Sequence, residues 1–314
     1  MTLALMFPGQ GSQSAGMGRA LSEAFAESRR VFDEVDEALG ERLSTLIFEG
    51  PDDELTLTAN AQPALMAVSL AALRAMEARG FDLSARAAFV AGHSLGEYSA
   101  LAAAGSLGIG ETAKLLRIRG EAMQAAVPAG RGSMAAILGL DHEAVAAVTA
   151  DASDRSGACQ PANDNGGGQI VISGEAGAVA RAMALATERG AKRAIALSVS
   201  APFHSALMQP AAERMAEALA GATIRPPVVP LVANVLAAPI TDPGEIRRRL
   251  VEQVTGQVRW RESVEFMASA GVDTLFEVGS GKVLAGLAKR IDKSLKAQSI
   301  GTPADLDAAL APAT

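Results

Sequence analysis

The sequence predicts an α/β protein carrying a small α+β insertion, and three observations lead there. Apolar, strand-like runs at 3–7, 87–91, 228–233 and 274–278 alternate with helical patterns at 17–39, 63–79, 109–127, 205–220, 243–254, 260–270 and 282–291. Such alternation gives a parallel sheet covered by helices. The middle of the chain follows another order. Residues 132–140, 157–162, 169–173 and 192–197 read as strands, with helices at 141–150 and 175–188, which is the split β-α-β-β-α-β unit. Finally, Gly92-His93-Ser94-Leu95-Gly96 joins a strand to an Ala-rich helix in the manner of a nucleophile elbow. The expectation is a large discontinuous α/β-hydrolase-like domain with a parallel sheet, built from 1–128 and 199–314. A small ferredoxin-like domain is inserted at 129–198.

Each element has a local reason. Leu3-Ala4-Leu5-Met6-Phe7 is apolar throughout, as a strand buried on both faces must be, and it runs into the turn-rich Pro8-Gly9-Gln10-Gly11-Ser12-Gln13. Pro63 fits the first turn of its helix, where its missing N–H costs nothing. The run Asn163-Asp164-Asn165-Gly166-Gly167-Gly168 reads as a turn between two strands, and Pro226-Pro227 as the break before the next one. Gly279-Ser280-Gly281 resembles a phosphate loop but lacks the third spaced glycine, so it reads as a plain strand-to-helix turn.

Composition narrows the function. With 314 residues the chain can bury a large core, and its 49% hydrophobic and 20% charged residues are ordinary for a soluble globular protein. A net charge of -7 argues against nucleic acid as a partner. The single cysteine, Cys159, excludes an internal disulfide and fits a small buried hydrophobe in a reducing cytoplasm. No apolar run has transmembrane length, and the N-terminal stretch is too short for a signal-peptide core. A cytoplasmic protein without a membrane partner is expected.

In an elbow, Ser94 stands at the end of the sheet over a helix N-terminus, where amide groups can hold an oxyanion. A serine needs a base at neutral pH, and there are three histidines. His93 adjoins the serine and points elsewhere on the turn, which suits a support for the elbow. His142 opens a helix and reads as a surface residue. His204 lies in Ser200-Ala201-Pro202-Phe203-His204-Ser205, between a predicted strand and a helix, and is assigned as base and then acid. No acidic third member is evident beside it; a backbone or amide carbonyl could orient the ring.

These residues, with others in the same order, resemble the malonyl-CoA:acyl carrier protein transacylase family. The resemblance to acyltransferase domains of polyketide synthases is slightly weaker. It rests on Phe7-Pro8-Gly9-Gln10-Gly11-Ser12-Gln13, Gly92-His93-Ser94-Leu95-Gly96-Glu97-Tyr98, Arg117-Ile118-Arg119-Gly120, Pro202-Phe203-His204, Val251-Glu252-Gln253 and Glu277-Val278-Gly279-Ser280-Gly281-Lys282-Val283-Leu284, and it covers nearly the whole chain. It implies a malonyl ester on Ser94, with His204 as dyad partner. The amides of Gln10 and Leu95 would form the oxyanion hole, a carbonyl of Gln253 would support His204, and Asn234 would help frame the pocket. It also implies malonyl-CoA and acyl carrier protein as partners, with no resident cofactor and no metal, and a monomer working in fatty acid biosynthesis.

Within that resemblance Arg119 carries substrate choice. Malonyl differs from acetyl by a free carboxylate, which a planar guanidinium can hold through two parallel hydrogen bonds. Arg117, two residues earlier, faces elsewhere and suits a surface salt bridge. Phe203 and Leu95 look like the malonyl type of pocket, although simple bacterial transacylases often carry serine where this chain has Phe203. Because carrier proteins are acidic and this chain is too, docking calls for a local basic patch, for which Lys192, Arg193, Lys289 and Arg290 are the candidates. The competing readings are a free-standing polyketide-pathway acyltransferase and a serine thioesterase or hydrolase, the latter having no need of Arg119.

Overall fold

The computed structural model describes residues 2–199 and 201–310. Ser200 of the predicted histidine segment and the final residues 311–314 lie outside them. The strands in chain order are β1 (Leu3–Phe7), β2 (Ala87–Gly92), β3 (Gly132–Leu138), β4 (Cys159–Asp164), β5 (Gln169–Glu175), β6 (Arg193–Ala196), β7 (Leu231–Ala233), β8 (Ala238–Ile240), β9 (Thr274–Val278) and β10 (Lys296–Ile300).

Six of them form one sheet in the order β10-β9-β1-β2-β7-β8. All its neighbours are parallel except β7 and β8, which form an antiparallel edge hairpin. The sheet is therefore mixed rather than purely parallel. The central β1 is buried along its length, as its uninterrupted apolar sequence requires. The other four strands form an antiparallel sheet in the order β4-β5-β3-β6.

The second sheet is apolar on both faces, and the period-2 alternation of strand side chains divides the work. Ala135, Ile137, Ile170 and Ile172 pack under helices His142–Ala152 and Ala176–Glu188. Their neighbours Met134, Ala136 and Val171 face the other way and join the core of the main sheet. A parallel bridge from Asn163 to Val258 further ties β4 to the main body.

Several expectations needed correction. Pro63 lies inside helix Thr58–Ala78, not in its first turn. That helix starts earlier because its first turn is seated against helix Ile109–Ala125, where a Cβ on Gly120 would come within 2.6 Å of the Thr58 carbonyl oxygen. The predicted 17–39 helix is two helices, broken where Phe25 is extended. Residues 163 and 164 extend β4 instead of opening the turn, because a register shift past Pro161 lets Asn163 and Asp164 pair with Val171 and Ile170. The strand predicted over 228–233 is confined to β7, with Val228 exposed. β8, β10 and helix Pro303–Leu310 were not foreseen, since their short or polar sequences carry no periodic signal. The turn at 279–281 is a plain turn: the Glu277 carboxylate accepts from the amides of Leu284 and Ala285, capping the helix that a phosphate would otherwise seek.

Candidate active site

Close packing shapes the elbow. A Cβ on Gly92 would lie 1.9 Å from the Gly96 carbonyl oxygen, and one on Gly96 would lie 2.2 Å from that of Phe7. Helix Gly96–Ala103 can approach β1 and β2 only because both positions are glycine. Ser94, at the apex, is held at φ 54°. Among the described residues only Ser94, His204 and Ala237 are non-glycine residues with positive φ. Strain of this kind concentrates where structure serves function.

Ser94 Oγ and His204 Nε2 are 2.8 Å apart. His204 Nδ1 faces two carbonyl oxygens, Gln253 at 2.9 Å and Gly256 at 3.1 Å. Both are acceptors, so Nδ1 carries the proton and Nε2 is left to accept from the serine hydroxyl. The Gln253 carbonyl belongs to the last turn of helix Pro243–Thr255, where carbonyls lack intrahelical partners and the helix end is negative. A helix C-terminus thus does what an acidic triad member does elsewhere. Burial, and next the charge of Arg119, pushes the His204 pKa down to about 3, so the imidazole is neutral and able to accept a proton near pH 7. His204 occupies a loop after β6 rather than a strand edge, packed so that Pro202 lies against Gly132.

Arg119 is 1% exposed. It donates to Gln62 Oε1 at 2.8 Å, Gln253 Oε1 at 2.8 Å and Ser94 Oγ at 3.1 Å, and it lies over the Tyr98 ring at 5.7 Å. Every one of these partners is neutral. None is a carboxylate; the buried Glu97 acts on the guanidinium only through its field, and a guanidinium so placed has the geometry to take an anion. Arg117 instead pairs with Glu41 and Asn60.

Ser94, Arg119, Gln10, Leu95 and Phe203 all line one cleft of about 330 Å³, with His204 at its side. Asn234 does not line it. Its side chain accepts from the Ser94 amide at 2.8 Å and donates to the Gly92 carbonyl at 2.7 Å, so it braces the elbow from behind and has no polar atom to offer a substrate. His93 supports the elbow as expected, with Nε2 2.9 Å from Asn165 Oδ1 and the ring tilted against Trp260. His142 is half-buried against Gln257 rather than free on the surface. Cys159 is buried.

The four basic docking candidates do not form one patch. Lys192 packs on Gly139 and lines a separate cleft with His142 and Arg261. Arg290 lines a recess that shares Gln10, His93, Asn163 and Leu197 with the catalytic cleft. Arg193 and Lys289 are exposed and line neither. Sequence reasoning missed Gln62 and Glu97, both buried in the Arg119 network. Glu97 directly follows the elbow, and that adjacency was the available signal.

Among the described residues no helix is long and apolar enough to cross a membrane. The acyl transferase domain family matches residues 5–300. A Bacillus subtilis protein described as malonyl CoA-acyl carrier protein transacylase is 48% identical over 308 residues, 98% of this chain and 96% of that one. The solved acyl-carrier-protein-S-malonyltransferase of Bartonella henselae superposes with a TM-score of 0.97 at 60% identity, covering 99% and 98% of the two chains. A malonyl-transacylase solved in complex with a type II PKS acyl-carrier protein aligns at 0.95 and 42% identity, covering 99% of each chain. With the elbow, the histidine and the buried arginine in one cleft, and matches of this extent, the chain belongs to the acyl transferase domain family, among the malonyl CoA-acyl carrier protein transacylases.

Proposed function

We propose that the protein moves a malonyl group from coenzyme A to the phosphopantetheine thiol of acyl carrier protein by way of an ester on Ser94. Ser94 Oγ attacks the thioester carbonyl while His204 Nε2 takes its proton. The amides of Gln10 and Leu95 hold the oxyanion, and the intermediate collapses as His204 returns the proton to the departing coenzyme A sulfur. The carrier thiol then attacks the ester, His204 takes that thiol's proton, and the proton passes to Ser94 Oγ as the malonyl thioester leaves. This chemistry calls for no resident cofactor or metal. The observation that carries the reading is Arg119, a buried charge without a carboxylate partner 3.1 Å from Ser94 Oγ.

The test is the intact mass of the protein after separate mixing with malonyl-CoA, acetyl-CoA and methylmalonyl-CoA. A malonyl adduct that discharges to a pantetheine thiol supports the reading. Adduct that goes to water instead would make the protein a thioesterase.

The same reading takes the main sheet, from 1–128 and 199–314, as an α/β-hydrolase-like domain. It takes 129–198, with strand order β4-β5-β3-β6 and two helices on one face, as a ferredoxin-like insertion. A monomer acting in the cytoplasm in fatty acid biosynthesis is part of it. The 42% identical relative solved with a type II PKS acyl-carrier protein favours a polyketide carrier as the second reading, which uses the same chemistry.

For docking, Arg290 is the candidate retained, because its recess shares Gln10, His93, Asn163 and Leu197 as lining with the catalytic cleft. Arg290→Glu is expected to raise KM for the carrier protein several-fold, an effect that shrinks at high salt, whereas Lys192→Glu leaves it nearly unchanged. Equal effects from the two reversals would remove Arg290 from the docking surface.

A further inference from the structure

Glu97 is fully buried, three residues past the strained Ser94 of Gly92-His93-Ser94-Leu95-Gly96. Its Oε2 accepts from the Asn234 amide at 3.2 Å and from Gln253 Nε2 at 2.7 Å, while Oε1 has no hydrogen-bond partner. Gln253 Nε2 also donates to the Ser94 carbonyl at 3.0 Å. A primary amide has one donor end and one acceptor end. With the donor end held by Glu97 and Ser94, the Gln253 oxygen faces Arg119 Nη2, 2.8 Å away. Flipping the amide would set its oxygen against the carboxylate and its NH2 against the guanidinium. The same Arg119 nitrogen reaches Ser94 Oγ.

We propose that Glu97 is a positioning residue for malonyl selectivity: through Gln253 it fixes the amide orientation that aims Arg119 at the acyl group on Ser94. The inference rests on the reading of Arg119 as the malonyl carboxylate's partner. What the role requires of Glu97 is an acceptor oxygen at the right reach, not a charge. Burial raises the Glu97 pKa to about 7, against the opposing pull of Gln253, Asn234 and Arg119. The role is the same in both protonation states, because a proton can reside on the partnerless Oε1 and leave Oε2 accepting.

Two substitutions separate reach from charge. Glu97→Gln keeps a carbonyl oxygen at the same distance and loses the charge. Glu97→Asp keeps the charge and withdraws it by one methylene. The measurement is the malonyl-to-acetyl ratio of kcat/KM, with labelling of Ser94 by a fluorophosphonate as the check that the elbow is intact. Glu97→Gln is expected to hold the ratio within about threefold of the parent, and Glu97→Asp to lower it by about tenfold or more, chiefly through KM for malonyl-CoA. Glu97→Met, similar in size and without an acceptor, carries the same expectation as Glu97→Asp and replaces it if that variant does not fold. The opposite order, or a ratio unchanged in all the variants, overturns the proposal. Arg119→Ala run beside them keeps the two readings apart: a ratio unmoved by that substitution refutes the carboxylate-partner reading itself.

Discussion

Ser94→Ala is expected to abolish both the covalent malonyl adduct and transfer to the carrier protein, with a fall in kcat of at least about four orders of magnitude. The alanine has no oxygen to carry the acyl group, and no other hydroxyl in the cleft is hydrogen-bonded to a histidine among the described residues. His204→Ala is expected to slow acylation by about 10² to 10⁴, the usual worth of a positioned general base. The two effects should not add, because each substitution disables the same 2.8 Å proton transfer. Intact mass spectrometry after mixing with malonyl-CoA reads the first, and rapid-quench acylation the second. An adduct persisting in Ser94→Ala would move the nucleophile elsewhere, and an unchanged acylation rate in His204→Ala would require another base.

The parts of this machinery differ in how plainly the sequence exposes them, and the difference is physical. The elbow was legible because its two glycines are demanded locally, by carbonyl oxygens about 2 Å from where their Cβ atoms would stand. His204 could be found by elimination, since three histidines leave few choices. Its orientation could not. The carbonyls that hold its ring come from residues 49 and 52 positions later, at a helix end whose meeting with the histidine loop is a tertiary event. Asn234 was expected to frame the pocket and instead braces the elbow from behind, because sequence does not say whether an amide points into a cleft or into the backbone behind it. The basic residues were hardest to interpret. Lys192, Arg193, Lys289 and Arg290 look alike as two pairs, and only the packing of their helix and strand ends separates a wall of the recess from a remote cleft. The sheets follow the same rule. Buried apolar strands announce themselves, whereas β10, with Lys296, Gln298 and Ser299, becomes a strand by pairing with β9.

Arg119→Ala tests substrate choice most directly and is expected to lower kcat/KM for malonyl-CoA by about two to three orders of magnitude. In the resting protein the guanidinium is held by Gln62, Gln253 and Ser94 Oγ, all neutral, and burial lowers its pKa, a cost that Tyr98 and the nearby Glu97 offset only in part. A malonyl carboxylate brings the missing negative charge to that position, where two parallel N–H donors can meet it. An acetyl group brings none and leaves the guanidinium desolvated. Removing the side chain therefore takes a favourable interaction from malonyl and an unfavourable one from acetyl. The acetyl rate should stay level or rise while the malonyl rate falls, and the malonyl-to-acetyl ratio should move further than either rate alone. Arg119→Lys should recover only part of the loss, since an ammonium supplies the charge without the planar pair of donors. The measurement is kcat/KM for the two thioesters with each variant, alongside fluorophosphonate labelling of Ser94. A parallel loss for both substrates with slowed labelling would mean that Arg119 holds the serine in place, through its 3.1 Å contact with Oγ, rather than choosing the acyl group.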